Sequence, residues 1–237
     1  PFMCINLAAM KDVLLLHGAL GAKDQLLDLE MALAGKYKVH AINFSGHGRT
    51  SSLHHAFTIQ NFAHEVLEYM NKHFIQSAHV FGYSMGGYVA LWLARFYPDR
   101  IDNIHTLGTK LAWTTADAER EIQMLNPEKI IAKVPVFAKA LANRHGEHEW
   151  KSVLLKTEGL MRDLVKNHLT EQDFIQINNR VCFGLGEFDN MVSLEETEFA
   201  QRLLKNGVLQ IFKNAKHPLD SVTLTELTQS VAGVFES

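Results

Sequence analysis

Cysteine is scarce in this chain of 237 residues, with only Cys4 and Cys182, so a disulfide-stapled scaffold is excluded. Proline (5) and glycine (15) are too few for a collagenous or low-complexity chain. No apolar run approaches the roughly 20 residues that cross a bilayer. An excess of basic charge is also missing. Lys and Arg number 23 against 26 Asp and Glu, and no basic block interleaved with aromatics appears, so nucleic acid is not an expected partner. Pro1 to Met10 lacks the basic start and long apolar stretch of a signal peptide, which makes the expected address cytoplasmic. The chain starts at Pro1 with no initiator Met, an arrangement expected where an upstream segment has been removed or omitted.

What is present is material for a core. Hydrophobic residues make up 47% of the chain, and folding at this length buries roughly 70% of the unfolded surface. Short apolar runs of strand length recur at 12–16, 37–44, 78–82, 103–107, 180–184 and 208–213. Cys182 lies inside the fifth and is expected to be an inert core thiol. Helical patterns alternate with these runs, as at 59–74 and 88–97, and a last helix is expected over 218–235. Strands alternating with helices predict an α/β fold, a mostly parallel doubly wound sheet with helices on both faces.

The alternation stops between Leu111 and Ile177, where the pattern gives helices at 115–124, 127–131, 135–142, 147–161 and 170–175 and no strand. This block is expected to be an insertion over a core formed by 1–110 and 178–237. His145 and His148 within it are read as a solvated pair, since no third metal ligand accompanies them.

The strongest local signal is Gly82-Tyr83-Ser84-Met85-Gly86, a Gly-x-Ser-x-Gly set between an apolar strand and a helix. A strand turning sharply into a helix strains the Ser and presents its hydroxyl at a helix N-terminus, where backbone N–H groups favour negative charge. Gly82 and Gly86 are there because a side chain at either would strike neighbouring backbone.

A Ser hydroxyl needs a base, and the base needs an orienting acid. His217 follows the last predicted strand by a short loop, and carboxyl ends of parallel strands share one sheet edge, so His217 is the predicted base. The acid is expected beyond the strand at 180–184. Asp189, in the turn, is favoured over Glu187, which is expected at the strand end or in solvent. The oxyanion hole is expected from the N–H groups of Met85, after the Ser, and Ala19, after His17-Gly18. His17 itself is read as a loop-holding residue.

With these residues in place, the chain resembles the α/β-hydrolase superfamily, specifically its small cap-bearing serine hydrolases. The resemblance spans the chain: His17-Gly18, then Asn43-Phe44-Ser45-Gly46-His47-Gly48-Arg49-Thr50-Ser51, the Ser84 turn, the Asp189 turn, and His217. It implies that His47 supports its loop and that 111–177 is a cap over the active site. Three departures stand out: Asn43 where the family usually has Asp, a nearly absent N-terminal hairpin with at most one edge strand, and Pro218 directly after His217.

The leading expectation is an esterase- or thioesterase-like serine hydrolase (EC 3.1) acting on small to medium acyl groups through an acyl-enzyme on Ser84. No metal or organic cofactor is required, and the partner is a small acyl substrate. Trp113, Met124, Phe137, Trp150 and Met161 are expected substrate-pocket walls, with Met85 and Leu155. Carbon–carbon bond hydrolysis or a lyase step on the same three residues is the alternative, and would need pocket cations, for which Arg144, Lys151 and Arg162 are available. A ligand-binding receptor is the third reading, and the full set of expected parts disfavours it.

Overall fold

The computed structural model describes residues 10–50 and 55–236; Cys4, any strand before residue 10, and Ser51 lie outside the described residues. Six strands form one parallel sheet: β1 (Asp12–Leu16), β2 (Lys38–Ile42), β3 (Ala78–Tyr83), β4 (Ile101–Leu107), β5 (Val181–Gly186) and β6 (Gly207–Phe212). Their order is β2-β1-β3-β4-β5-β6, and every pairing is parallel. The order reverses direction between β1 and β3. Two loops therefore diverge there at the carboxyl edge, and a crevice opens between them.

Helices cover both faces because strand side chains alternate. Leu14 and Leu16 of β1 belong to one apolar cluster, while Val13 and Leu15 belong to another. The first cluster takes in α2 (Ile59–Lys72), α3 (Met85–Phe96) and α9 (Leu194–Leu203); the second takes in α1 (Leu27–Leu33) and α10 (Leu224–Phe235). Cys182 is buried in the second cluster, and burial pushes its thiol up to about 11, which keeps it protonated.

Between β4 and β5 lie α4 (Thr115–Ile122), α5 (Pro127–Lys133), α6 (Pro135–His145), α7 (Trp150–Asn167) and α8 (Glu171–Ile175). Capping boxes at Thr114 and Thr170 start α4 and α8, and prolines open α5 and α6. These helices share the core. Val153, Leu160, Leu164, Phe174 and Ile177 pack in the same cluster as Leu14 and Val80.

The last helix begins later than the sequence pattern suggests. Pro218 is extended (φ −57°, ψ 136°), residues Leu219–Ser221 make one 3-10 turn, and Val222 is extended again. The α-helix starts only where Thr223 accepts a hydrogen bond from the Glu226 N–H. The Ser221 hydroxyl instead accepts the Lys216 N–H at 3.0 Å and donates to the Lys216 carbonyl at 2.8 Å, which ties this turn to the loop before His217.

Two buried histidines make stability pH-dependent. His17 and His105 are both fully buried, and desolvation, the largest cause, takes each down to about 4 from the ordinary 6.5. The unfolded chain therefore binds protons below pH 6.5 that the folded chain refuses. Their contribution is fully present above about pH 6.5 and is lost as pH falls toward 4. Between pH 7 and pH 5 the expected loss is about 2 kcal/mol from each. Urea unfolding at the two pH values measures it; equal midpoints would contradict it.

Candidate active site

The turn after β3 is the tightest point of the fold. Ser84 sits at φ 50°, ψ −115°, a conformation a non-glycine residue rarely adopts. Hydrogen bonds on both sides hold it: the Ser84 N–H donates to the Leu107 carbonyl at 2.8 Å, and the Thr109 hydroxyl donates to the Ser84 carbonyl at 3.0 Å. The flanking glycines are required on steric grounds. A Cβ on Gly82 would lie 2.4 Å from the Gly87 nitrogen, and one on Gly86 2.3 Å from the Leu16 carbonyl oxygen. The second contact shows that the β1 end packs directly on the Ser84 turn. Gly18 completes this approach, since a Cβ there would meet the Ser84 Cβ at 3.2 Å.

Asp189 and His217 come together because the β5 and β6 exits are stitched to each other. The Glu187 and Phe188 N–H groups donate to the Phe212 and Ala215 carbonyls at 2.9 and 2.8 Å. In the turn so formed, Asp189 Oδ1 accepts from the Met191 and Val192 N–H groups at 2.8 and 2.9 Å, and Oδ2 takes the His217 Nδ1–H at 2.8 Å. Burial opposes ionisation of Asp189, but the His217 hydrogen bond and charge and the two amides outweigh it, so its carboxyl stays below the ordinary value. Glu187 points away. It is an exposed strand-exit residue paired with Lys213 at 2.9 Å and accepting the Asn214 N–H.

Tyr83 ties the two halves together, its hydroxyl donating to the His217 carbonyl at 3.2 Å. Burial raises this phenol to about 12, so it remains a donor. With Nδ1 committed to Asp189, the Nε2 of His217 is the nitrogen left for chemistry. Ser84 and His217 line one cavity of about 360 Å³, and Ala19 and Met85 line it too. Met85 is the first residue of α3, a position whose N–H has no acceptor within its own helix.

The cavity wall is mostly apolar. Trp113, Met124, Phe137 and Met161 lie on it, as does Met85. Trp150 and Leu155 do not. Trp150 is buried with Leu125, Ile130, Leu141 and Leu154 in a small cluster among the helices between β4 and β5, and Leu155 is 60% exposed. Leu155 lies about 120° around α7 from Met161, whereas Trp150 shares the Met161 face and stands three turns earlier, so place along the helix separates it from the cavity.

Sequence reasoning missed the polar wall. Lys110 and Glu121 line the cavity, and Lys110 sits between Asp117 and Glu196 at 3.8 and 3.7 Å. Glu121 is buried, and burial raises its carboxyl. Its Oε2 and the Trp113 indole Nε1 find no hydrogen-bond partner among the described residues. No motif marks Lys110 or Glu121; Met191 and Val192, also on the wall, were reachable from their place beside Asp189. Of the proposed pocket cations, Arg144 is on the wall, whereas Lys151 and Arg162 are paired with Glu128 and Glu158 away from it.

Three histidines belong to loop structure. His17 Nε2 accepts the Phe44 N–H at 3.2 Å and its Nδ1–H donates to Gly18. His47 is buried and its Nδ1–H donates to the Ser45 carbonyl. His145, expected in solvent, is instead buried between two core loops, while His148 is exposed. Asn43 retains a loop role by accepting the Lys23 N–H at 2.7 Å.

A profile of the alpha/beta hydrolase fold family matches residues 12–190. A dihydrolipoyllysine-residue acetyltransferase component of the acetoin cleaving system of Cupriavidus necator is 39% identical over 89 residues, 38% of this chain and 24% of that protein. A 3-oxoadipate enol-lactonase of Acinetobacter baylyi is 38% identical over 77 residues, 30% of this chain and 29% of that protein. The matched stretch thus spans 24% of the first relative and 29% of the second. Among solved structures, NosK from Streptomyces actuosus superposes with a TM-score of 0.79 at 18% identity, covering 96% of this chain and 98% of NosK.

Proposed function

Since the chain belongs to the alpha/beta hydrolase fold family, we propose that it is a serine hydrolase that cleaves carboxylic esters or thioesters of small to medium acyl groups. The observation that carries this reading is the strained Ser84 facing the same cavity as a His217 whose other nitrogen is held by a buried, ionised Asp189. In this mechanism His217 Nε2 takes the Ser84 proton as Oγ attacks the carbonyl carbon. The tetrahedral oxygen is received by the Met85 and Ala19 N–H groups, and the imidazolium that forms is stabilised by Asp189. His217 then returns the proton to the departing alkoxide or thiolate, leaving an acyl-Ser84 ester. Water, deprotonated by His217, attacks that ester and restores the hydroxyl.

The wall formed by Met124, Phe137, Met161, Leu160 and Leu164 supports an apolar acyl chain, and a cavity of about 360 Å³ supports a short to medium one. The helices at 111–177 act here as a cap over the site. No step calls for a metal or organic cofactor. No helix among the described residues is long and apolar enough to cross a membrane, and a cytoplasmic place is part of the proposal. The carbon–carbon hydrolase reading is less supported, because Lys151 and Arg162 are absent from the cavity lining and the two cations on it, Lys110 and Arg144, are already paired with Asp117, Glu196 and Asp24.

A panel of p-nitrophenyl esters and acyl-thioesters from two to sixteen carbons tests the reading. Turnover should peak within the short to medium range and fall steeply for the longest chains. Indifference to chain length, or inactivity on every ester and thioester, would refute it.

A further inference from the structure

His145 is the last residue of α6, yet its ring bonds to nothing in its own helix. Nδ1 receives the Gly48 N–H at 3.2 Å, which fixes the ring proton on Nε2. The Nε2–H then donates to the Leu20 carbonyl at 3.0 Å. Arg144 Nη1 adds a second donor to the same oxygen at 3.4 Å. A single buried imidazole therefore joins an inserted helix to two core loops.

The Leu20 carbonyl belongs to the turn that carries Ala19. The Gly21 N–H closes this turn onto the Gly18 carbonyl at 3.0 Å. Its third residue, Leu20, sits at φ 59°, in the left-handed region where glycine is the usual occupant. The Cβ of any residue but glycine disfavours this conformation, so the turn gains from outside support. The Leu20 side chain packs against both the sheet cluster and the inserted-helix cluster, and its carbonyl is held by the two α6 donors.

We propose that His145 is a positioning residue for the oxyanion hole: by holding the Leu20 carbonyl it locks the strained Gly18–Gly21 turn that presents the Ala19 N–H. The inference rests on the reading of Ala19 as an oxyanion donor in a serine hydrolase. It makes α6 part of the catalytic arrangement as well as a wall of the cavity, because a displaced α6 releases the turn. His145 touches no substrate and acts through Ala19.

Two substitutions separate its two bonds. Gln carries an amide nitrogen at the reach of Nε2 and can keep the bond to Leu20. Asn carries an amide oxygen at the reach of Nδ1 and keeps only the bond from Gly48. The measurements are kcat and KM on p-nitrophenyl butyrate, the rate of labelling by a fluorophosphonate, and Tm. For H145N, kcat and the labelling rate should fall about 10- to 100-fold with KM within about threefold, somewhat less than the loss of a whole oxyanion donor. H145Q should recover most of that loss, to within about threefold to fivefold of the parent. Equal kcat in the two variants, a change in KM alone, or losses that simply follow Tm would overturn the proposal while leaving an active, labelled parent as a serine hydrolase. A parent that neither hydrolyses the ester nor takes the label would overturn both.

Discussion

Replacing Ser84 by Ala should abolish labelling by a fluorophosphonate and lower ester turnover on the order of 10⁴ to 10⁶. In the proposed mechanism the hydroxyl oxygen is the atom that bonds to the acyl group, and an Ala side chain offers no replacement. Met85 and Ala19 would still bind a polarised carbonyl, so a residue of catalysis above the water rate should survive. Folding should change little. The turn is held by backbone N–H and carbonyl groups of Ser84, together with the Thr109 hydroxyl, and none of these needs the Ser84 side chain. Circular dichroism melts of the two proteins, beside labelling and kcat, make the comparison. Persistent labelling of the Ala variant, or a parent that takes no label, would remove the hydrolase reading and favour a ligand-binding role for the cavity.

The second large effect is expected at the acid. Asp189→Asn keeps the shape and a carbonyl oxygen for the Met191 and Val192 amides, but removes the charge facing His217. It should cost about 10³ to 10⁴ in turnover, by analogy with the chymotrypsin-type acid, whose amide variant leaves the base in the wrong tautomer. Glu187→Gln should change turnover by less than about tenfold, because Glu187 is engaged with Lys213 and Asn214 in solvent. The same contacts give a pH signature. The folded-state carboxyl of Asp189 lies below its ordinary 3.8, so its stabilisation is present above that value and disappears as acid takes the pH through the lower, folded one. In Asp189→Asn that acid limb should be shallower in urea titrations. A crippled Glu187→Gln beside a mild Asp189→Asn would move the acid to Glu187.

Strand and helix order were legible in the chain because buried parallel strands read as short continuous apolar runs and the helices between them as amphipathic patterns. The Gly82 to Gly86 spacing specifies a turn that backbone sterics then enforce. That Ser84, Asp189 and His217 would meet at one sheet edge was legible from position, since carboxyl ends of parallel strands share that edge; the catalytic roles assigned to them belong to the proposal. Strand register was less exact: β5 runs to Gly186, two residues past the apolar run, because its exit pairs with the β6 exit.

Burial of individual side chains in the helices between β4 and β5 was not legible. Trp150 and Met161 lie on one helix with similar apolarity, yet one fills a core among helices and the other lines the cavity. His145 looked like a surface residue because its partners, Gly48 and Leu20, are about 97 and 125 positions away. Lys110 and Glu121 gave no signal because no local pattern marks a charged residue for a cavity wall built from distant elements. By itself the sequence determined which elements form, their order along the chain, and that they build a parallel sheet with helices on both faces, since apolar runs and turn sterics act over a few neighbouring residues. The tertiary structure alone decided which faces of the inserted helices meet the cavity and which polar groups lose water there, because those outcomes depend on how helices far apart in the chain pack against one another.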